Sequence, residues 1–370
     1  MTSRTPSLSA RTFADLTTFG VGGPVGRYVE VDSEADLVEV VRAADAADEP
    51  LLVLGGGSNL LVGDDGLDGV VVRDVRGGVE TPDASACAGA TLTVPAGTPW
   101  DEVVEHAVAH GLKGIEALSG IPGSTGATPV QNVGAYGQEV ASSIATVRVW
   151  DRARGRIRTM PVVDLAFGYR TSLLKRSMHA PGPADAAPDP RAPWRPTPRY
   201  VVLDVTFQLR PATLSAPIAY AELARTLGVA LGERAPLAEV RAAVLGLRAG
   251  KGMVLDAADP DTAGAGSFFT NPILDAATVR ALPDGAPRFP QPDGRTKTSA
   301  AWLIERAGFS RGYGLPGPAA LSTKHTLALT NRGGASAQDV LALAREVRDG
   351  VRTAFGIELE AEPVLLGVTL

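Results

Sequence analysis

The sequence predicts an α+β protein, and three features carry that expectation. Short strand-like runs alternate with helical patterns from Arg27 to Leu209, helical patterns dominate from Ala216 to Phe355, and an extended run over Ile357–Val368 closes the chain. The 370 residues correspond to about 2.5 domains of roughly 150 residues each, and a hydrophobic content of 45% supplies a sizeable core. The 42 Gly and 28 Pro follow no G-X-Y period, which excludes a collagen-like rod.

Taken in order, Arg27–Val31 reads as a strand, and Ser33 opens a helix with a capping box to Asp36. Leu51–Leu54 is a short apolar run that ends in Gly55-Gly56-Gly57-Ser58-Asn59, a strand followed by a tight loop. Val70–Val72, Thr91–Pro95 and Thr146–Asp151 are further strands, and Tyr200–Leu209 is a clear β run. Thr98-Pro99 starts a helix with Pro at its first position that runs to Gly111. Helices follow over Ala216–Leu227, Leu237–Leu247, Asp275–Leu282 and Thr298–Ala307. Ser336 and Asp339 cap a last helix that stops near Phe355-Gly356.

A formal charge of −6 argues against broad binding to a phosphate backbone, so no nucleic-acid partner is expected. No apolar run reaches the roughly 18 residues of a membrane-spanning helix, and Met1 to Phe19 lacks the apolar stretch of a secretory signal. The expectation is a soluble, cytoplasmic protein without membrane insertion, acting as a monomer. Cys87 is the only cysteine, which rules out a disulfide or a Cys-based zinc site within one chain. Arginine outnumbers lysine 30 to 5, so each of Lys113, Lys175, Lys251, Lys297 and Lys324 is more informative than usual. Ala180–Arg199 carries seven prolines and almost no core-forming residues, and reads as an extended, dispensable surface insert.

Two glycine-dense stretches invite a phosphate-binding reading. Gly55–Asn59 follows a strand, yet it lacks the Lys of a P-loop, and Leu60 stands where a dinucleotide fingerprint needs its third Gly. What remains is a run of backbone N–H groups unobstructed by Cβ atoms, a nest able to hold a pyrophosphate. Leu118–Val140 (LSGIPGSTGATPVQNVGAYGQEV) is neither helical nor strand-like and is too rich in Ser, Thr, Gln and Asn for a core. A structureless stretch of that length inside a domain usually carries function, and two such loops could approach the two halves of one dinucleotide.

These two stretches together resemble the FAD-binding domain of the vanillyl-alcohol-oxidase-like (PCMH-type) flavoproteins, and within them the UDP-N-acetylenolpyruvoylglucosamine reductase family. The resemblance continues through Leu16–Gly23 (LTTFGVGG), Phe167–Ser172 (FGYRTS), Ala265–Pro272 (AGSFFTNP), Gln291–Phe309 and Glu358–Gly367 (ELEAEPVLLG), in the family's order. It implies a two-lobed FAD-binding domain, with lobe one over 1–74 and lobe two over 75–252 including the insert at 180–199. A C-terminal α+β substrate domain over 253–356 follows, and residues 357–370 return to the flavin side. The implied activity is NADPH-dependent reduction of enolpyruvyl-UDP-GlcNAc to UDP-N-acetylmuramate for peptidoglycan, with non-covalent FAD between NADPH and this UDP-sugar substrate.

By resemblance, FAD is held by Gly55, Gly56, Gly57, Ser58 and Asn59, together with Ser119, Pro122, Gly123, Ser124, Gly126, Ala127, Gln131, Asn132, Gly134, Ala135, Tyr136 and Gly137. Arg170 is the active-site arginine, Ser267 the proton donor and Glu362 the catalytic carboxylate. Tyr169, Tyr220, Lys251, Asn271, Arg311 and His325 fall on the substrate side, Tyr220 marking the family's longer class. The residue types suit an enol ether next to a carboxylate. Hydride addition at the methylene carbon leaves charge that a fixed guanidinium can hold, a protonated carboxyl can donate to the same group, and a hydroxyl can protonate a strongly basic α carbon. Periodicity alone does not choose among Glu358, Glu360 and Glu362, which share one face of a strand. Ala361 stands where the family carries Pro, and Thr171 where an acidic residue commonly follows the Tyr-Arg pair. His106 and His110 have the i,i+4 spacing of metal ligands, but no third ligand is evident, so a solvated helix face and no metal are expected. A same-fold oxidase and a non-catalytic flavin-binding protein are the competing readings, and the joint presence of Arg170, Ser267 and Glu362 disfavours the second.

Overall fold

The computed structural model describes residues 11–79, 83–85, 89–179 and 194–370. The chain divides into two units, one containing Val25–Gly56 and Leu67–Ala249, the other Arg11–Pro24, Gly57–Gly66 and Gly250–Leu370.

The first unit holds two sheets. A three-stranded parallel sheet has Leu67–Asp74 between Val25–Val31 and Leu51–Leu54. Val70, Val71 and Val72 are all buried, the continuous apolar run that a central parallel strand requires. Helix Glu34–Ala46 makes the crossover: Ser33 Oγ accepts the Asp36 N–H, and Leu37, Val41 and Ala44 recur on its buried face. The second sheet is antiparallel, in the order Arg156–Pro161, Ile144–Asp151, Tyr200–Pro211, Gly89–Pro95 and Asp83–Ser85, with Leu112–Lys113 also on Tyr200–Pro211.

Tyr200–Pro211 faces apolar cores on both sides. Tyr200, Val202, Val205, Phe207 and Leu209 join the core around Trp100, while Val201 and Leu203 join the one around Leu37 and Val70. The switch from even to odd positions coincides with a register shift opposite Arg148 and Val149, where one extra residue flips the pleat. Periodicity cannot show such a shift.

Several predicted boundaries move. Pro99 is the N-cap of helix Trp100–Ala109, with φ −55° and ψ 131°, rather than its first helical residue. The helix expected from Ala216 begins at Ala221, because Pro217 keeps Ala216 out of helical conformation. The closing strand shrinks to Val364–Leu366, which pairs parallel with Leu60–Val62, since Pro363 lacks the N–H a longer ladder needs. Strand Arg156–Pro161 and the short helices Phe13–Leu16 and Leu173–Arg176 were not expected from the pattern.

Of the Pro-rich insert, residues 180–193 lie outside the described residues. Its end is a fixed part of the fold, which corrects the expectation that all of 180–199 is a detachable surface loop. The buried Thr197 hydroxyl donates to Leu51 O at 2.7 Å and accepts the Val53 N–H at 2.9 Å, satisfying strand Leu51–Leu54 in place of a further strand. Arg199 then forks onto Asp151 at 2.8 and 2.9 Å.

The second unit is built on helix Ala337–Phe355. A full capping box joins Ser336 and Asp339, Asp64 accepts the Ala337 and Gln338 N–H groups, and Gly356 ends the helix at φ +68°. Val340, Leu341, Ala344, Val347 and Val351 share a core with Leu303, Ile304, Phe268, Phe269 and the hairpin Ala319–Leu321/Leu329–Asn331. No helix among the described residues is long and apolar enough to cross a membrane.

The Asp151 carboxylate is fully buried beneath Arg199 and Arg158. Burial alone would raise its pKa, but the two guanidiniums outweigh that and hold it below the usual carboxylate range. Because the folded value lies below the unfolded one, this stabilisation is complete above about pH 3.9 and is lost as pH falls through the folded pKa. Asp151→Ala leaves Arg199 buried and unpaired, so chemical denaturation at neutral pH should show a loss of about 3–5 kcal/mol. The difference from wild type should shrink in acid.

Candidate active site

In the first unit the two glycine loops touch. A Cβ on Gly56 would lie 2.6 Å from Gly123 Cα, and one on Gly55 2.6 Å from Ser124 Oγ. The contact therefore admits no side chain on the first loop, and the cradle is lined by backbone. That suits a pyrophosphate, which backbone N–H groups can bind without side-chain charge.

The second loop is rigid. Gly134–Ala135 and Gln138–Glu139 form a small hairpin whose central residues, Tyr136 and Gly137, both have positive φ, as a two-residue type I′ turn demands. Asn132 is buried at φ +49°; its amide donates to Glu139 Oε2 at 2.8 Å and Gly168 O at 3.1 Å, and its Oδ1 accepts the Ala141 N–H. The buried Ser119 hydroxyl donates to Glu116 O at 2.7 Å. These side chains are struts inside the loop, so any contact they offer a cofactor runs mainly through backbone.

Tyr169 and Arg170 occupy the corner of a turn closed by two hydrogen bonds between Gly168 and Thr171. Arg170 has φ +53°, its Nη2 donates to Gly134 O at 2.9 Å, and its guanidinium lies 5.3 Å from the Tyr169 ring centre. Tyr220, the 44% exposed N-cap of helix Ala221–Leu227, meets Tyr136 edge-on at 5.5 Å. Burial foremost pushes the Tyr136 hydroxyl up to about 12. The structure thus gathers Tyr169, Arg170, Gly134 and Tyr136 with Tyr220.

In the second unit Ser267 and Glu362 are brought close in the ladder. Glu362 N–H donates to Phe268 O at 2.8 Å, Phe269 bridges to Ala361, and Thr270 N–H donates to Glu360 O. Asn59 joins them: its side-chain amide donates to Glu362 O at 3.3 Å, and its carbonyl accepts the Val364 N–H at 2.9 Å. The three glutamates are no longer equivalent, for Glu358 and Glu360 are exposed, whereas Glu362 and Ser267 are half-buried.

The other substrate-side candidates fall into two groups. His325 rides on a turn in which Ser322 Oγ accepts the Lys324 and His325 N–H groups, at 3.0 and 3.2 Å. That turn is fastened by Asp261, which accepts the Thr323 N–H at 2.8 Å and Arg332 at 2.7 Å. Exposed Arg311 lies beside it, since Gly312 N–H reaches Leu321 O and Ser322 O. Asn271, by contrast, accepts the Ala300 N–H at 2.9 Å and so helps cap helix Ala300–Arg306. Half-buried Lys251 precedes Gly252, which packs on Asp261. His106 and His110 stack with ring centres 4.0 Å apart, and no group of three or more potential metal ligands occurs among the described residues.

Sequence reading missed the supports of the second loop. Asp101 accepts the Gly120 N–H at 2.6 Å and forks onto Arg241 at 2.7 and 2.8 Å. Burial works against the Asp101 charge, but Arg241 and Gly120 outweigh it and hold its pKa low. Buried Glu116 accepts the Gly114 and Ala216 N–H groups. The only local signal was an acidic residue in a first helical turn, which ordinary helices share.

Comparison with known proteins agrees with both units. Residues 25–161 match the profile "FAD binding domain", and residues 259–366 match "UDP-N-acetylenolpyruvoylglucosamine reductase, C-terminal domain". The UDP-N-acetylenolpyruvoylglucosamine reductase of Thermobifida fusca is 52% identical over 371 residues, covering 96% of this chain and 97% of that one. That of Nocardia farcinica is 54% identical over 367 residues, covering 96% and 89%. The crystal structure of the Thermus caldophilus UDP-N-acetylenolpyruvylglucosamine reductase superposes with a TM-score of 0.61 at 27% identity, covering 97% of this chain and 98% of that one. With similarity of this extent running through both units, the chain belongs to the UDP-N-acetylenolpyruvoylglucosamine reductase family.

Proposed function

We propose that this protein reduces enolpyruvyl-UDP-GlcNAc to UDP-N-acetylmuramate with NADPH, through bound FAD, in the synthesis of peptidoglycan precursor. Family membership across 96% of the chain at 52% identity carries the reading. NADPH and nucleotide sugars are cytoplasmic metabolites, so the reaction belongs in the cytoplasm. All three candidate catalytic side chains come from one chain, and the reading needs no partner subunit.

The backbone of Gly55, Gly56, Gly123 and Ser124 suits a dinucleotide cofactor, since a Cβ at either of the first two glycines would collide with the second loop and part the two runs of peptide groups. The backbone of the Gly134–Gly137 hairpin would extend that hold. When bound, FAD supplies two-electron transfer between NADPH and the enol ether.

Arg170 would hold the substrate carboxylate through its guanidinium as negative charge grows on the α carbon. Its backbone strain and its bond to Gly134 O support that role, because both fix the side chain before substrate arrives. Ser267 Oγ would give a proton to the α carbon while a hydride arrives at the methylene carbon, so the product gains both hydrogens. Glu362, whose backbone is bonded to Phe268 next to Ser267, would donate a hydrogen bond to the carboxylate in its protonated form. Tyr220, Lys251 and Arg311 would meet the UDP pyrophosphate. His325 would sit on the substrate side, and Asn271 would shape that site through helix Ala300–Arg306.

Two outcomes test this. Gly56→Ala forces the loops apart and should cost about 1–3 kcal/mol, as overpacking does, and the purified protein should carry less flavin per chain. Gly246→Ala, in open space on a helix, should stabilise by about 0.5–1 kcal/mol with flavin content unchanged. Equal flavin content in both would place the cofactor away from the loop contact.

Ser267→Ala should let NADPH bleach the flavin at near wild-type rate, while substrate restores the colour at least about 10²-fold more slowly. Ser267→Cys, with a donor of lower pKa, should retain more of the second half-reaction. Equal slowing of both halves by Ser267→Ala would reduce Ser267 to a structural turn residue.

A further inference from the structure

Helix Leu237–Gly250 lies outside both matched regions, which end at 161 and begin at 259, yet two arginines on its buried side are committed to the cofactor loop. Arg241 and Arg248 stand seven residues apart, two helical turns, and so share that face. Arg248 Nε donates to Gly120 O at 3.2 Å. Arg241 reaches the other side of the same residue through Asp101, whose Oδ1 accepts both Arg241 Nη1 at 2.7 Å and the Gly120 N–H at 2.6 Å. Gly120 takes the left-handed conformation, φ +70°, so its N–H and C=O are free of any regular ladder and depend on these partners.

The rest of the segment hangs from the start of the helix that carries Asp101. Trp100 Nε1 donates to Leu118 O at 3.1 Å, and Trp100 N–H donates to Gly123 O at 2.9 Å. Gly123 is the residue on which Gly56 closes. Between Leu118 and Gly123 the backbone is therefore held at both ends by Trp100 and in the middle by Asp101 and Arg248. The hold through Asp101 relies on its ion pair with Arg241, 140 residues along the chain.

We propose that Asp101 and Arg241 are a positioning pair: Arg241 fixes the Asp101 carboxylate, which fixes Gly120 and thereby the backbone that receives FAD. The proposal rests on the FAD-binding reading of the loops. It assigns to helix Leu237–Gly250, whose same buried side packs Val240 and Val244 into the core, a second duty in cofactor retention. Arg241 acts on the cofactor only through Asp101 and is not itself a catalytic residue.

The test is flavin release from the holoprotein on dilution, followed by the rise of free-flavin fluorescence. Asp101→Ala and Arg241→Leu should each speed release about 10- to 100-fold, the equivalent of one lost charge-assisted hydrogen bond. The double variant should release no faster than Asp101→Ala, because Arg241 forks onto Asp101 at 2.7 and 2.8 Å and its other partner, exposed Glu105 at 4.0 Å, adds little. Arg241→Lys, which keeps the charge but loses the fork, should fall between wild type and Arg241→Leu. Ser336→Ala, which removes a helix cap in the second unit, sets the effect of lost stability alone.

Release within twofold of wild type in both single variants would overturn the proposal. So would additive effects in the double variant, or acceleration by Ser336→Ala equal to that of Arg241→Leu at the same loss of melting temperature. Should the two truncations fail to fold, Asp101→Asn and Arg241→Lys carry the same comparison. A wild-type protein that holds no flavin would overturn the FAD-binding reading itself, whereas tight wild-type binding with unaffected variants would overturn this pair alone.

Discussion

The first unit is organised by one steric constraint: the backbones of Gly55-Gly56 and Gly123-Ser124 meet at a distance that no side chain on the first loop can enter. Bringing two loops this close leaves their peptide groups without the neighbours that a helix or sheet provides, and each must find a partner within the loop or in a ligand. The polar side chains of the second loop tie it to its surroundings, binding one carbonyl within the loop and three beside it. Thr125 donates to Thr98 O, Thr128 to Thr125 O, Ser119 to Glu116 O and Asn132 to Gly168 O, and all four are buried. A segment too polar for a core in sequence is thus a polar core in structure, its side chains turned inward to satisfy carbonyls. The surface that remains at the loop contact is mostly peptide, which is why glycines mark it.

This explains what could be read in the chain and what could not. The glycine loops and the capped helices were legible because each is a local pattern with a local cause, whereas Ser267 was singled out only by the family resemblance. Ser336 and Asp339 identify a helix start wherever they occur, and the fold uses them as expected. Asp101, Arg241 and Thr197 were illegible for the opposite reason. Their partners lie up to 146 residues away, as with Thr197 and Leu51, and nothing in an Asp of a first helical turn announces the Gly it will hold. The register shift in Tyr200–Pro211 belongs to the same class, because it depends on the strand opposite. Among the candidate site residues, Ser119, Asn132 and Asn271 proved to have side chains engaged in support. The resemblance implied a ligand contact at these positions, and burial and existing partners decide what each side chain has left to offer.

The glutamate series shows how tertiary structure breaks a symmetry that sequence leaves intact. Ile357 and Leu359 point into the second unit's core, which sends Glu358 and Glu360 to solvent. The alternation ends where Ala361 bridges to Phe269 and Pro363 interrupts the ladder, so Glu362 is half-buried instead of continuing outward. Val364–Leu366 then pairs with Leu60–Val62, which fastens the end of the first glycine loop, at Asn59, to the segment bearing Glu362. Asn59 to Val62 and Glu362 to Leu366 are thereby held in one hydrogen-bonded set within the second unit.

Backbone strain is distributed with the same logic. Among the described residues, five non-glycine positions have positive φ: Asp48, Asn132, Tyr136, Ala166 and Arg170. Three of them, Asn132, Tyr136 and Arg170, belong to the connected set around Gly134 and Gly168. Each such residue costs on the order of 1–3 kcal/mol and persists only where its surroundings over-determine it. Here they do, for Asn132 binds the Gly168 carbonyl of the turn that carries Arg170, and Arg170 binds the Gly134 carbonyl of the hairpin that Asn132 supports. The loop closes on itself: releasing the strain at one residue breaks a hydrogen bond that another needs. A guanidinium held this way has little freedom left to lose, and in the proposed reaction that preorganisation is what stabilising a developing carbanion would require.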